Sequence, residues 1–208
     1  MSNKVKKSFC AWIVSGPSGS GKTSLCEALL KSPFWGKRLL KTVSYTTRSL
    51  RRGERQGRDY RPISEEKFLV LKQQGALLES EKIFGAYYGT PKKDVSEAKR
   101  LGKNLLLCID VKGARTVRRF FKKEATSIFI VAPKEEVLLK RLKKRSTEDK
   151  GQIAQRLRRV KSEMGHAKEY DYVVVNDDFN EALDKIKSIL TAKTCGGAYV
   201  VRSIGKTY

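Results

Sequence analysis

Eight consecutive residues, Gly16-Pro17-Ser18-Gly19-Ser20-Gly21-Lys22-Thr23, fit the pattern G-x-x-x-x-G-K-[ST] at every fixed position. The apolar run Phe9–Ser15 precedes them and a helix-forming stretch, Thr23–Leu30, follows, which is the context this motif needs. Each residue type has a physical task. Glycines let main-chain N–H groups turn inward around a phosphate, and the helix N-terminus adds partial positive charge. Lys22 is placed to reach β- and γ-phosphates, and the Thr23 hydroxyl to sit on Mg²⁺. The pattern therefore predicts nucleoside triphosphate binding and leaves the acceptor open. An acid also belongs to this picture. Asp110 ends the apolar run Leu105–Ile109, and after such a strand in a P-loop protein a carboxylate commonly lies near the metal, here through water.

A second constellation is basic. Val43-Ser44-Tyr45-Thr46-Thr47-Arg48 is followed by Arg51, Gly53-Glu54, Gly57 and Asp59-Tyr60. Arg48 and Arg51 suit a forked grip on one phosphate, with the Tyr60 hydroxyl as a further donor. Leu78-Glu79 and then Phe84-Gly85-Ala86-Tyr87-Tyr88-Gly89-Thr90 come next. With SGPSGSGKT, VSYTTRSLRRGE, GRDY, FGAYYGT, IDVKGA and YVVVNDDF in this order, the chain resembles the guanylate kinases over about residues 9–190.

The resemblance implies transfer of the γ-phosphoryl group of ATP to GMP with Mg²⁺, giving ADP and GDP. It implies that Arg48, Arg51, Tyr60 and Tyr88 hold the GMP phosphate. Ser44 and Thr90 would face the guanine O6, Glu79 would accept from N1–H and the exocyclic amine, and Asp110 would also belong to the GMP site. Adenine lacks that donor pair, and a site built on buried polar pairing rejects the wrong base strongly. Arg141, Arg145 and Arg156 match arginines that close over the transferring group, and Asn176 matches a residue near the adenine of ATP. Phosphoryl transfer asks for in-line positioning and charge neutralisation more than for covalent work, so arginines suit the task.

The chain departs from the family pattern at two places. Cys108 stands where an acid is usual, two residues before Asp110. A thiol is a poor partner for a hard cation, so Asp110 and Glu79 are expected to suffice, with Cys108 only packing. Ala86 replaces a common Asn, which implies a local difference in the turn. The lone His166 is read as a helix-surface residue, since this transfer needs no histidine.

The elements that must position these groups alternate. Strands are expected at Phe9–Ser15, Ala76–Ile83, Leu105–Ile109, Ser127–Val131 and Tyr172–Val175. Helices are expected at Ser64–Gln74 with Ser64 as N-cap, and at Pro91–Arg100, opened by its proline. Others are expected around Ala114–Phe121, after Pro133, over Ile153–Lys168 and over Phe179–Ala192. Apolar strands alternating with helices predict an α/β fold, a P-loop-type parallel sheet flanked by helices. To this the resemblance adds a small mixed α/β GMP-binding lobe (44–90) and a helical lid (141–167). The core is then 9–43, 91–140 and 168–193, and 194–208 is a tail.

Composition bounds the reading. The chain has 208 residues and 39% hydrophobic residues, enough for one domain with a true core. The apolar runs are too short to span a membrane. Lys4, Lys6 and Lys7 before Phe9–Val14 mimic a leader, but six apolar residues running into a glycine loop read as a core strand. Four scattered cysteines predict thiols in a reducing cytoplasm and no zinc site. The net charge is +23, with +7 in each of the windows 36–61 and 134–161. That suits a protein handling polyanions, ATP and GMP first and nucleic acid only weakly and without sequence preference. The competing readings are a protein-binding module that has lost phosphate chemistry and a kinase for another monophosphate. The intact Lys22, Thr23 and arginines favour the enzyme.

Overall fold

The computed structural model describes residues 9–134, 136–138, 141, 158–197 and 200. The chain opens with β1 (Ala11–Ser15), α1 (Lys22–Lys31), the single turn α2 (Pro33–Gly36) and β2 (Leu39–Lys41). A second group follows: β3 (Tyr45–Thr46), β4 (Arg61–Pro62), α3 (Glu65–Gln73), β5 (Leu77–Ile83) and β6 (Ala86–Pro91). Then come α4 (Lys92–Arg100), β7 (Asn104–Cys108), α5 (Val111–Phe121), β8 (Ala125–Val131), β9 (Tyr172–Val175) and α6 (Phe179–Cys195).

Five strands form one sheet in the order β2-β7-β1-β8-β9, every neighbour parallel. Parallel strands need crossovers, and the helices that make them cover both faces. The pleat sorts the side chains. Trp12, Val14, Leu106, Ile128 and Ile130 meet Leu25, Leu29 and the buried face of α6 on one side. Ala11, Ile13, Leu105 and Leu107 meet Val95, Ala98, Ala114 and Val117 on the other. Each large side chain fully buried this way stabilises the fold by about 1.5–3 kcal/mol relative to exposure. β1 is buried along its whole length, so the phosphate loop that follows it springs from the most constrained strand of the core.

The second sheet has the order β4-β3-β6-β5 and is mixed. β3 runs parallel to β4, and β6 runs antiparallel to both β3 and β5. A two-residue turn, Phe84-Gly85, joins β5 to β6, with φ of 48° and 81°. Such left-handed pairs match the strand twist of a tight hairpin. Here Phe84 occupies the position where Asn or Asp is the easier fit, so its backbone is strained. This hairpin leaves Ala86 as the first paired residue of β6, opposite Ile83.

Local signals hold at the caps. Ser64 accepts from Lys67 N–H, Asp110 from Gly113 N–H, and Asp178 from Asn180 and Glu181 N–H. Two expectations change. Pro91 does not occupy the first turn of α4; it is the last residue of β6, paired with Leu77, and serves as N-cap with extended backbone. β2, β3, β4 and β6 were not expected from the sequence. The helix after Pro133 and the one over Ile153–Lys168 fall largely outside the described residues, with 136–138 and 158–164 helical. α6 runs three residues further than expected, into the segment read as tail. No helix among the described residues is long and apolar enough to cross a membrane.

Candidate active site

The phosphate loop begins at the end of β1 and turns into α1. Gly21 is the N-cap of α1 with φ of 94°, and a Cβ there would lie 2.2 Å from Asn176 Nδ2. Only glycine satisfies both the backbone and the contact. Asn176 is 3% exposed, and its Nδ2 donates to Ser20 O at 2.7 Å. The side chain therefore braces the loop from behind. The amide nitrogen is thereby committed to main chain, while Oδ1 has no hydrogen-bond partner among the described residues. Arg141 donates to Asn176 O at 3.3 Å, while its second terminal nitrogen is buried without a partner. An unpartnered buried guanidinium nitrogen is costly unless an acceptor arrives.

Lys22 Nζ donates to Gly16 O at 2.7 Å and to Pro17 O at 2.8 Å. An ammonium has three donors, so one remains for a phosphate oxygen. Burial lowers the Lys22 pKa, and the sulfur of Cys108 and the carboxylates of Glu163 and Asp110 work against that. Thr23 Oγ1 faces Cys108 Sγ at 4.0 Å. Cys108 thus packs against the core cluster with its sulfur bordering the loop's hydroxyl.

The acceptor half is built on the mixed sheet. Glu79 on β5 is 7% exposed, and its Oε1 accepts from Thr90 Oγ1 at 2.6 Å. Thr90 and Ser44 hydroxyls lie 3.3 Å apart. Since Thr90 spends its proton on Glu79, Ser44 is the donor of that second bond. Burial pushes the Glu79 carboxyl up to about 7, against the lowering effect of the Thr90 hydrogen bond. α5 comes close enough that a Cβ on Gly113 would lie 2.8 Å from Glu79 Oε2. Asp110 fixes this approach by capping the helix on Gly113 N–H at 2.8 Å. It is a strand-end cap as well as a strand-end acid.

Nearby, Arg48 Nε donates to the Tyr88 hydroxyl at 2.9 Å, and the Tyr60 and Tyr88 rings meet edge to face at 5.8 Å. The two terminal nitrogens of Arg48 fork onto Glu54, each at 2.8 Å. The Arg51 N–H donates to the same carboxylate at 2.8 Å. Burial opposes the Arg48 charge, but Glu54 and Tyr88 more than offset it and raise its pKa. Burial also raises the Tyr60 phenol to about 12, so it stays a donor at neutral pH. Glu54 went unassigned at the sequence level, where an acid after Gly53 reads as a solvated turn residue. It orders both basic residues.

Arg159 was also missed. It pairs with Glu163 at 2.7 Å and stands 3.7 Å from Asp110 Oδ2. The i,i+4 spacing of Arg159 and Glu163 was readable as a helical ion pair, but the reach to Asp110 was not. Arg145 and Arg156 lie outside the described residues. His166 rests on Glu169 at 2.7 Å within a half-exposed cluster that includes Arg115.

For a divalent cation, the chain offers the Thr23 hydroxyl, which faces the Cys108 sulfur at 4.0 Å, and the carboxylate of Asp110. Among the described residues no group of three His, Cys, Asp or Glu could hold a metal. That sparse set fits Mg²⁺, which keeps several waters and takes phosphate oxygens as ligands, and does not fit a dedicated protein cage.

A phosphate loop on the central strand of a parallel sheet, with a buried carboxylate pocket on an adjoining mixed sheet, defines a P-loop α/β protein with two separate polar sites. Comparison with known proteins narrows this. A family model described as guanylate kinase matches residues 10–193. The guanylate kinase of Francisella tularensis subsp. holarctica (strain LVS) is 41% identical over 175 residues, covering 84% of this chain and 92% of that protein. That of Hahella chejuensis is 43% identical over 182 residues, covering 88% and 86%. The crystal structure of guanylate kinase from Anaplasma phagocytophilum matches with a TM-score of 0.73 at 30% identity, covering 95% of this chain and 92% of that one. The chain belongs to the guanylate kinase family.

Proposed function

We propose that this chain transfers the γ-phosphoryl group of ATP to GMP, yielding ADP and GDP. The observation that carries the reading is Glu79: a carboxylate 7% exposed, bonded through Thr90 to Ser44, and pressed against the start of α5. A buried acid costs stability and persists where it has a task. Its free lone pairs match the N1–H and 2-amino donors of guanine, with Ser44 and Thr90 at the O6 edge.

The donor's β- and γ-phosphates lie in the loop Gly16–Thr23, held by main-chain N–H groups and the third proton of Lys22. The Thr23 hydroxyl and, through water, Asp110 would hold Mg²⁺, which would supply charge neutralisation on the donor phosphates. Arg48, Arg51, Tyr60 and Tyr88 hold the GMP phosphate, with Glu54 keeping Arg48 in place. Arg141 offers its unpartnered nitrogen to the transferring group, and the family resemblance assigns Arg145 and Arg156 the same task of neutralising charge while water is excluded. Asn176 positions the loop. The passage from β7 into α5 joins the halves, since Cys108 meets Thr23 while Gly113, capped by Asp110, meets Glu79.

ADP release measured with GMP, AMP, CMP and UMP tests the reading. Strong stimulation by GMP alone is expected. Equal turnover with AMP would overturn the base assignment, and no stimulation by any of the four would indicate a protein-binding module.

A further inference from the structure

The tip of the β5–β6 hairpin carries a residue that its own backbone disfavours. Phe84 holds φ of 48° and is 50% exposed. Asn or Asp would fit that conformation with less strain, and the exposed half of the ring draws no stability from burial. Strain of this kind persists where the surrounding structure uses it. The ring meets Arg159, whose guanidinium carbon stands 5.4 Å from the ring centroid, within cation–π range.

Arg159 is held from two other sides. Its Nε donates to Glu163 Oε1 at 2.7 Å, one helical turn on, and Glu163 is 8% exposed. Its Nη2 stands 3.7 Å from Asp110 Oδ2, the carboxylate whose other oxygen caps α5 at Gly113. The helical stretch 158–164 that presents Arg159 is seated on the core through Val160, which is buried with Leu138 against Ala132. One guanidinium thus meets three parts of the fold: the hairpin of the mixed sheet, the start of α5 and its own helix.

We propose that Phe84 and Arg159 form a clasp that seats the β5–β6 hairpin against the core and thereby sets the affinity for the nucleoside monophosphate. The ligand, GMP, rests on the function proposed above; the clasp itself does not. The hairpin carries Glu79 on one strand and Tyr88 and Thr90 on the other. Its base is fixed where Glu79 abuts Gly113, and the clasp fixes its tip. With the tip released the hairpin pivots on its base, and GMP binds only the seated fraction. A partly exposed cation–π contact shifts such an equilibrium by about three- to ten-fold. Saturating GMP restores the seated position, so the loss falls on affinity and leaves kcat in place. Phe84 and Arg159 are positioning residues.

Phe84→Asn provides the test, because it separates folding from positioning. Asn followed by Gly85 is the favoured pair for this turn, so Tm should match or exceed that of the parent. The GMP dissociation constant, measured by calorimetric titration of the full chain without ATP, should rise about three- to ten-fold, while kcat at saturating GMP stays within about two-fold. Phe84→Tyr keeps the ring and should bind GMP as the parent does. Arg159→Gln should weaken binding at least as much as Phe84→Asn, and the double variant should be no weaker than Arg159→Gln alone. Urea unfolding of the same four proteins reads the contact without nucleotide, and the two changes should be non-additive there too. Unchanged GMP binding in either single variant, an equal loss in Phe84→Tyr, or additivity in either cycle overturns the clasp. A fall in Tm that accompanies the lost affinity of Phe84→Asn overturns it as well, since Phe84 would then serve folding alone. A parent chain that binds no GMP would refute the kinase reading instead, and the urea cycle would still decide whether Phe84 and Arg159 act together.

Discussion

Replacing Glu79 by Gln tests the guanine pocket most sharply, because the structure separates its effect on binding from its effect on folding. The carboxylate is proposed to accept two charge-assisted hydrogen bonds, each worth about 1.5–3 kcal/mol. Glutamine keeps one acceptor and turns an NH₂ group toward a guanine donor. The expected loss in kcat/KM for GMP is therefore about 10²- to 10⁴-fold, at 1.4 kcal/mol per decade. Stability moves the other way. The carboxyl is raised from 4.5 to about 7 in the folded chain. The fold thus binds an extra proton between those values, and Glu79 loses stability for the protein as pH rises through about 7. At pH 8 this amounts to roughly 3 kcal/mol, which Glu79→Gln relieves. The variant should match or exceed the parent in Tm at pH 8, and the advantage should vanish near pH 5. Steady-state kinetics give a second signature. The parent's KM for GMP should rise about ten-fold from pH 8 to pH 6 as Glu79 takes up its proton, over and above titration of the GMP phosphate. The variant should keep only the phosphate part. A variant KM within about three-fold of the parent, or a fall in Tm that accounts for the lost activity, would refute the reasoning.

Three further perturbations follow from the same geometry. Gly113→Ala adds a Cβ 2.8 Å from Glu79 Oε2. It should raise the KM for GMP at least about ten-fold while ATP binding, read by equilibrium titration, stays within two-fold; an unchanged KM would show that the pocket yields. Thr90→Val removes the donor that holds the Glu79 pKa down, so the midpoint of the pH dependence of GMP binding should move upward. A downward or absent shift would contradict that hydrogen bond. Arg61→Ala strips the partner from Asp94, which is 6% exposed and accepts from Arg61 Nη1 at 3.0 Å and from Val43 N–H at 3.0 Å. Urea unfolding should show a loss of about 2–4 kcal/mol, the lower end reflecting the partial exposure of Arg61. A loss below about 1 kcal/mol would mean that water replaces the guanidinium.

What the sequence made readable was local. The phosphate loop is contiguous, and its glycines, lysine and threonine announce themselves at fixed spacing. Ser64, Asp110 and Asp178 sit at helix starts where a short oxygen-bearing side chain meets free N–H groups. β9 was placed at its true bounds because Tyr172–Val175 is β-rich and closed by Asn176 and Asp177. Features created by distant partners were not readable. β2 is three residues, Leu-Leu-Lys, and becomes a strand only through pairing with β7. β6 hid in a glycine- and tyrosine-rich stretch whose extended state comes from β3 and β5. Arg48 stood out in the sequence as a candidate phosphate ligand, but its fork on Glu54 depends on how the loop after β3 folds back. Asn176 carries no sign in one dimension that it will lie against Gly21, 155 positions away in the chain, on a bond to Ser20 spanning 156.

The contact between Glu79 and Gly113 bears on how such a pocket can evolve. The acid proposed to read the base abuts a bare Cα, so the floor beside it is main chain, anchored by the Asp110 cap and the whole of α5. Swapping one side chain cannot deepen or reshape that floor. A lineage drifting toward another nucleobase would have to tilt a helix that also seals the central sheet, and the selectivity filter therefore inherits the conservatism of the core.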